Sequence, residues 1–280
     1  MTRAPGKRVE YDLPGGTFHA LVLGEPDAPP LVWLHGFPDH PPTALPFLEP
    51  LAAKRRVIAP WLRGYAPSPL RGPYDLGTLR DDAIALIDAI GAVGGPVDLV
   101  GHDWGAVITY AVCGAAPDRV RRAVTLAVPH PRTFLRALRQ PSQLARSWYM
   151  GAFQLPGAMP VMRARGLALI DRLWRTWSPQ LALDEARRRE LHGCLAASLP
   201  APVEYYRAAR QPASLRALPK RIATPLLQLH GADDGCVLPP RDDDAWRFAE
   251  RVLEVVPNAG HFLHLEDPSK IAARVASWLA

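Results

Sequence analysis

One aspartate stands where its side chain can act as a nucleophile. Asp103 is the middle residue of Gly-His-Asp-Trp-Gly at 101–105, which follows three apolar β-formers within 97–100 and precedes a stretch of small residues. A strand, a sharp turn and a helix in this order, with glycine two residues before and after the turn residue, form a nucleophile elbow. A carboxylate with an ordinary pKa near ~4 is already charged at neutral pH, so it needs no base to activate it.

The chemistry of a carboxylate limits what it can attack. Attack by Asp103 on an ester gives a reactive anhydride, whereas attack on an electrophilic sp3 carbon gives an ordinary alkyl ester that a second step can hydrolyse. Epoxides and alkyl halides therefore fit this residue better than esters or peptides. The same segment also permits a simpler interpretation, in which Asp103 only caps the N-terminus of a helix.

A second segment is expected to support the nucleophile. His35-Gly36-Phe37-Pro38 follows an apolar run that reads as a strand. The backbone N–H groups of Phe37 and Trp104 are expected to form an oxyanion hole, whereas His35 is expected to brace the backbone. The bond before Pro38 is a candidate for the cis form, which is essentially confined to proline.

A candidate acid and a candidate base follow later in the chain. Asp233 and Asp234 both lie in the turn after the predicted strand Pro225–His230, and either can orient a histidine. His261 follows the last predicted strand and is the candidate base, with His264 as its competitor. The order nucleophile, acid, histidine is that of the α/β-hydrolase fold and differs from other triad folds.

Short apolar runs alternate with longer helical stretches, and these elements must position the candidates. Strands are predicted at 16–24, 31–35, 56–60, 97–101, 122–128, 225–230 and 251–256, and helices at 43–53, 79–90, 104–116, 241–250 and 268–279. This alternation predicts an α/β protein, with a mostly parallel sheet covered by helices on both faces.

The alternation stops between roughly Arg132 and Pro219. This stretch is rich in Arg, Trp and Pro, has helical patterning and contains no strand-like run. It follows the carboxyl end of a strand, where ligands bind in such sheets, so it is expected to form a helical cap. The predicted organisation is therefore a core of 1–131 and 220–280 with a cap of 132–219.

Composition excludes several classes of function. The net charge of +6 comes from arginines spread along the chain without interleaved aromatics, so no nucleic-acid partner is expected. Three widely spaced cysteines, Cys113, Cys194 and Cys236, indicate a reducing, cytoplasmic setting with neither a disulfide framework nor a metal site. Cys236 is interpreted as a small buried residue. No run reaches the ~18 apolar residues of a membrane span. A homodimer is compatible with the sequence.

Motifs along essentially the whole chain resemble those of the soluble epoxide hydrolases, which have the α/β-hydrolase fold. The matching segments are HGFPD at 35–39, RGYAPS at 63–68, GHDWG at 101–105, VPHP at 128–131, WYMGAFQLPG at 148–157, EYYR at 204–207 and GHF at 260–262. The chain departs from the family at 61–66, where Trp61 and Ala66 replace an Asp and a Gly. The shape of that loop is therefore left open.

The resemblance implies a role for each candidate. Asp103 matches the family's nucleophile and His261 its base, while the Gly-x-x-Asp spacing selects Asp234 as the acid. Tyr149 and Tyr206 match two cap tyrosines that hold the epoxide oxygen. The implied reaction is hydrolysis of a small apolar epoxide to a diol, with neither a metal nor an organic cofactor.

The two tyrosines favour epoxides over halides. An opening epoxide develops alkoxide charge, which phenols of ordinary pKa ~10 can neutralise, whereas a halide leaves as a stable anion. Haloalkane dehalogenases commonly have Asn where this chain has Phe37, and haloacetate dehalogenases carry Arg just after the nucleophile, where 106–110 has none. A dehalogenase and a ligand-binding homologue without turnover remain the alternatives.

Aromatic residues of the predicted cap are candidates for the lining of an apolar substrate pocket. Trp148, Phe153 and Trp177 are the candidates, with Trp174 beside them. Ordinary packing explains aromatic residues in a cap equally well. The size of the substrate and the ring carbon attacked are not determined by the sequence.

Overall fold

One eight-stranded sheet runs through the residues that the computed structural model describes, which are 6–90, 95–181 and 183–280. Its strand order is β1-β2-β4-β3-β5-β6-β7-β8. The strands are β1 (Lys7–Leu13), β2 (Gly16–Leu23), β3 (Pro30–Leu34), β4 (Arg56–Pro60), β5 (Val97–His102), β6 (Val120–Leu126), β7 (Leu226–Gly231) and β8 (Arg251–Val256).

The sheet is mostly parallel, as predicted. Only the pairings of β1 with β2 and of β2 with β4 are antiparallel. β5 and β7 are buried along their whole length, and β3 is buried except at its first residue. Near-continuous apolar runs of this kind are typical of central strands that are covered on both faces. The predicted fold class is confirmed.

Strand β1 was not predicted from the sequence. Its residues, KRVEYDL, alternate between exposed and half-buried positions and include four charged side chains. Charged residues are common on edge strands because they discourage pairing with another chain, and they also weaken the apolar signal of a strand. β1 is held by a hairpin that pairs Leu13 with Gly16.

The strand order places two loops beside each other at the carboxyl edge of the sheet. β3 lies between β4 and β5 and is parallel to both. The chain therefore continues from β3 to β4 on one side of β3 and later returns to β5 on its other side. A crevice opens outside the carboxyl ends of the strands at such a switch point, and ligands bind there. The segments after β3 and after β5 carry Phe37 and Asp103 to this crevice.

Thirteen α-helices surround this sheet in the described part of the chain. They are α1 (Leu45–Leu51), α2 (Leu76–Ile90), α3 (Trp104–Ala115), α4 (Pro131–Ala137), α5 (Pro141–Arg146), α6 (Trp148–Ala152), α7 (Ala158–Arg163), α8 (Ala168–Trp177), α9 (Glu185–Ser198), α10 (Ala201–Ala208), α11 (Pro212–Ala217), α12 (Leu263–Glu266) and α13 (Pro268–Leu279). α3 packs on β3, β5 and β6 beside α2, and α1 packs against α13. None of these helices is long and apolar enough to cross a bilayer.

Helices α4–α11 all lie between β6 and β7, and the described residues of this stretch contain no strand. Backbone contacts tie it to the loops after β7 and β8. The Trp177 carbonyl accepts hydrogen bonds from the N–H groups of Gly235 (3.1 Å) and His261 (3.0 Å), and Ser178 Oγ accepts one from Phe262 N–H (2.8 Å). The boundaries 132–219 stay a prediction.

The helix predicted at 241–250 is wrong. Only the single 3-10 turn Ala245–Arg247 forms there. Aspartate has a low helix propensity, and the aspartates that precede this turn bond to side chains of other segments. Asp244 accepts hydrogen bonds from Thr133 and from Arg251 Nη1, the latter at 2.7 Å, and Asp243 pairs with Arg136 at 2.9 Å.

Candidate active site

Asp103 occupies the sharp turn between β5 and α3. Its φ of 52° and ψ of −119° lie where residues other than glycine are seldom found. A Cβ on Gly105 would lie 1.9 Å from the Leu34 carbonyl oxygen, and one on Gly101 would lie 2.3 Å from the Gly105 carbonyl oxygen, so both glycines are required. The Asp103 side chain makes no capping hydrogen bond to α3, so its interpretation as a helix cap is wrong.

The Asp103 carboxylate faces the loop after β3. Phe37 N–H donates to its Oδ1 at 2.7 Å, and the Phe37–Pro38 bond is cis, as predicted. Gly36 makes this approach possible, because a Cβ there would lie 2.4 Å from the Asp103 Cβ. Trp104 is the first residue of α3, and the amides of a first helical turn have no intrahelical acceptor. Of the two expected oxyanion donors, Phe37 N–H contacts the carboxyl group, and the Trp104 N–H belongs to the residue that follows Asp103.

His261 lies between two carboxylates. Its Nδ1 is 2.9 Å from Asp234 Oδ2, and its Nε2 is 3.4 Å from Asp103 Oδ2. The other oxygen of Asp234 accepts hydrogen bonds from the N–H groups of Cys236 (2.7 Å) and Val237 (2.9 Å), which orient the carboxylate. The structure thus brings together Asp103, His261 and Asp234, which come from three separate loops.

The two competing candidates lie elsewhere. Asp233 is exposed, next to the buried Asp234. His264 is buried, but its nearest acidic oxygen is Asp39 Oδ2, 4.0 Å from its Nε2. Its ring packs against Trp33, at 5.1 Å between centroids. Neither residue contacts the triple of Asp103, His261 and Asp234 in the way a triad member would.

The electrostatics of the site favour a charged His261. Burial lowers the pKa of the imidazole, but Asp234 and Asp103 outweigh this effect and raise it to about 10. Each carboxylate lies within 4 Å of one ring nitrogen, where an opposite charge stabilises the protonated form. At neutral pH the resting site therefore contains a protonated His261 between Asp103 and Asp234.

Tyr149 and Tyr206 face the same cavity as Asp103 although they come from separate helices, α6 and α10. Their ring centroids lie 5.6 Å apart. Burial raises the pKa of both phenols well above 10, so both keep their protons. The Tyr206 hydroxyl has no hydrogen-bond partner among the described residues. The adjacent Tyr205 differs, because its hydroxyl donates to the Arg63 carbonyl.

The cavity above Asp103 has a volume of about 110 Å³ and an almost entirely apolar lining. Most of its wall comes from α3, α4, α6 and α11, through Val107, Phe134, Leu135, Met150, Leu215 and Leu218. No Lys, Arg or His is among its described lining residues. Ser214 also lines it, but its hydroxyl already bonds Leu76 N–H (3.0 Å) and the Ala208 carbonyl (2.8 Å). Apart from the Trp104 indole, the other polar side chains of the lining are those of Asp103, Tyr149 and Tyr206.

The predicted pocket residues do not line this cavity. Trp148 is 47% exposed, because the short helix α6 turns Tyr149 inward and its neighbour outward. Phe153 and Trp177 are buried behind the site. Phe153 packs on Tyr206 at 5.2 Å between centroids, and Trp177 packs on His261 at 5.2 Å. These two residues support the site and are not part of its wall.

Two groups of buried side chains have metal-binding chemistry without the spacing of a formed metal site. They are Asp39, His102 and His264, and Asp234, Cys236 and His261. In the first, Asp39 Oδ2 and His264 Nε2 are 4.0 Å apart, whereas zinc–ligand bonds of about 2.1 Å place tetrahedral ligands about 3.4 Å apart. In the second, Asp234 already occupies His261 Nδ1. Asp39, His102 and His264 are too far apart in the sequence to form a metal-ligand motif, so sequence reasoning did not single them out as a group.

Comparison with known proteins identifies the family. The profile described as "Alpha/beta hydrolase family" matches residues 31–274. The chain belongs to this family. As an alpha/beta hydrolase, it has its nucleophile candidate, acid candidate and histidine candidate in the chain order of that fold.

This alpha/beta hydrolase is similar to two curated proteins and to one solved structure. Human "Epoxide hydrolase 4" is 34% identical over 146 residues, which cover 51% of this chain and 40% of that protein, so the match spans under half of the human protein. The Bacillus subtilis "AB hydrolase superfamily protein YfhM" is 28% identical over 275 residues, which are 95% of each chain. A solved epoxide hydrolase from metagenomes of hot environments is 27% identical, with a TM-score of 0.84 over 100% of this chain and 99% of the other.

The loop at 61–66, where this hydrolase departs from the motif, is held by an ion pair between the buried Arg63 and the partly buried Asp82. Arg63 Nε and Nη2 contact the two oxygens of Asp82 at 2.6 and 2.7 Å. Gly64 has a φ of 87°, a conformation that glycine adopts without strain. Tyr65 donates to the Gly36 carbonyl at 3.2 Å, so the loop braces the segment that carries Phe37.

Proposed function

We propose that this protein is an epoxide hydrolase that opens a small apolar epoxide to a vicinal diol through a covalent ester of Asp103. One observation carries the proposal. Two protonated tyrosine hydroxyls, on Tyr149 and Tyr206, face the same apolar cavity as an aspartate in a nucleophile elbow. This combination supplies a nucleophile for carbon and proton donors for the oxygen that leaves it.

In the first step, an Asp103 oxygen attacks a ring carbon and the carbon–oxygen bond of the epoxide breaks. Tyr149 and Tyr206 hold the ring oxygen, and one of them gives it a proton. The phenolate that remains takes a proton from the His261 imidazolium. The net result is a neutral ester, a new hydroxyl group and a neutral imidazole.

The loss of charge on Asp103 prepares His261 for the second step. The raised pKa of the imidazole depends on both carboxylates, and esterification removes one of them. Burial then favours the neutral imidazole over the charged one. The same residue is thus a proton donor in the resting enzyme and a base in the ester.

In the second step, His261, oriented by Asp234, takes a proton from water, and the hydroxide adds to the ester carbon. The N–H groups of Phe37 and Trp104 stabilise the tetrahedral oxyanion. When the intermediate collapses, the diol leaves with the proton of the new carboxylic acid. Asp103 returns to the carboxylate and His261 to the imidazolium, so epoxide and water give diol without a metal or an organic cofactor.

The stretch 132–219 is part of the proposal as the cap of this enzyme. It contains both Tyr149 and Tyr206, together with the helices α4, α6 and α11 that supply most of the apolar wall. A cap of this kind excludes water from the epoxide before attack. The described residues of this stretch lie close enough to the elbow for the phenols and Asp103 to share one cavity.

Trapping of the ester tests the proposal. His261→Gln removes the base of the second step and the proton source for the phenolate, but it keeps the nucleophile and both phenols that act on the first epoxide molecule. Ester formation is therefore expected to proceed for a single turnover and ester hydrolysis to stop, so intact-mass analysis after addition of styrene oxide is expected to show one adduct of substrate mass on Asp103. The matched control, His261→Gln with Asp103→Asn, is expected to show none. Unmodified protein with undiminished diol production would refute the mechanism. Halide release from alkyl halides that persists in Tyr149→Phe with Tyr206→Phe would instead identify a dehalogenase.

A further inference from the structure

Cys236 lies directly behind one of the two cavity tyrosines. Its Sγ is 3.3 Å from the Tyr149 hydroxyl oxygen, and the thiol is buried. It does not line the cavity, although Val237 and Tyr149 do. The thiol therefore meets no substrate and contacts the site through a phenol.

Both partners of this contact are neutral. Burial, followed by the charges of Asp234 and Asp103, raises the pKa of the Cys236 thiol well above 9. Burial also holds the pKa of Tyr149 well above 10. One S–H and one O–H thus share a single hydrogen bond, and either group can be its donor.

Tyr149 has a single hydroxyl proton, so the direction of its hydrogen bond with Cys236 decides whether that proton is available to a substrate. If Tyr149 donates to sulfur, its only proton is unavailable to a substrate. If the thiol donates to the phenol oxygen, the phenol proton is free to point into the cavity. An opening epoxide oxygen is a stronger acceptor than a thiol sulfur, so substrate favours the second arrangement.

We propose that Cys236 is a positioning residue whose S–H donates to Tyr149 and turns the phenol proton toward the epoxide oxygen. The inference rests on the proposed function. It makes the two phenols unequal, because Tyr149 is the one whose hydroxyl contacts the thiol. The backbone N–H of Cys236 also holds Asp234 at 2.7 Å, and side-chain substitutions leave that bond in place.

Substitution of the thiol measures its contribution. Cys236→Val lacks a donor, so kcat is expected to fall roughly 3- to 10-fold, the ordinary effect of one neutral hydrogen bond, with little change in KM. Cys236→Ser keeps a donor and is expected to stay within about 3-fold of wild type. Cys113→Val, at a buried cysteine in α3 outside the cavity lining, is the control and is expected to leave kcat unchanged.

A double-mutant cycle separates positioning from packing. If Cys236 acts through Tyr149, the effect of Cys236→Val disappears in a Tyr149→Phe background and persists in a Tyr206→Phe background. An equal loss of kcat in both backgrounds would overturn the inference.

Tyrosine NMR gives a readout that needs no turnover. In protein labelled with [13Cζ]tyrosine, Cys236→Val is expected to shift the Tyr149 signal, assigned with Tyr149→Phe, and to leave Tyr110, bonded to Thr125, in place. An unmoved Tyr149 signal in folded protein would refute the contact. A clear shift in a protein that hydrolyses no epoxide would instead count against the proposed function alone.

Discussion

At the scale of single residues, neighbours in the sequence have different environments. Tyr205 and Tyr206 are adjacent and both buried, yet one hydroxyl bonds a backbone carbonyl and the other has no partner among the described residues. Asp233 and Asp234 differ in the same way, since only Asp234 is buried against His261. Residue type alone does not separate the members of either pair.

The tyrosine pair yields a matched prediction. Tyr206→Phe removes an unbonded hydroxyl from the cavity, so kcat is expected to fall by on the order of 10²-fold, the lower end for general acid catalysis, with unchanged stability. Tyr205→Phe removes a bonded hydroxyl, so the free energy of unfolding is expected to fall by about 1 kcal/mol with little change in kcat. Steady-state kinetics and urea unfolding measure both effects. A fall in kcat for Tyr205→Phe together with a fall in stability for Tyr206→Phe would show instead that Tyr205 is the cavity phenol.

At the scale of elements, much of the core was predictable and the cavity was not. The elbow was predictable because Gly101 and Gly105 flank a residue that follows an apolar strand. The phase of the short helix α6 was not, since one residue separates exposed Trp148 from buried Tyr149. The cavity walls from α4 and α11 depend on contacts between segments that are distant in the sequence, and a local sequence pattern does not predict such contacts. The choice of Asp234 over Asp233 came from family resemblance.

Helix α11 supports a prediction about specificity. Leu215 lines the cavity and is 45% exposed, so it stands at the mouth. Leu215→Arg is expected to raise KM for long-chain terminal epoxides roughly tenfold, since a lost apolar contact of a side chain is worth about 1–2 kcal/mol, and to spare propylene oxide. Leu144→Arg on α5, at an exposed leucine outside the lining, is the control. An equal rise in KM for both variants would contradict the placement of Leu215 at the mouth of the cavity.

At the scale of the whole molecule, buried histidines set the response to acid. Burial lowers the pKa of six of them in the folded protein, to about 4 for His35 and to about 3 for His40, His130 and His264. The six are His35, His40, His102, His130, His230 and His264. Below pH ~6.5 the unfolded chain takes up protons at these positions while the folded protein does not.

The free energy of unfolding is therefore expected to fall as the pH drops from 6.5 toward 4. Each histidine contributes up to roughly 1.4 kcal/mol per pH unit. Asp39 and Asp82 oppose the trend, because burial raises the pKa of both carboxyl groups, that of Asp39 to about 7, so the folded protein takes up protons there before the unfolded chain does. The stability that His261 contributes, with its pKa raised to about 10, is full below pH ~6.5 and constant over this window. Urea unfolding at pH 6.5 and 4.5 measures the net change in the free energy of unfolding, and equal values at the two pH values would contradict the prediction.

One carbonyl oxygen has a consequence for protein engineering. Trp177 O receives the amides of Gly235 and His261, so helix α8 bridges the loop of the acid candidate and the loop of the histidine candidate. A chimera that exchanges the whole of 132–219 for the insertion of another hydrolase would also replace this junction. Grafts that keep 177–178 are expected to preserve the alignment of His261 with Asp234, so exchange of the cavity-lining residues of α4 and α11 is expected to disturb the site less than exchange of the complete segment.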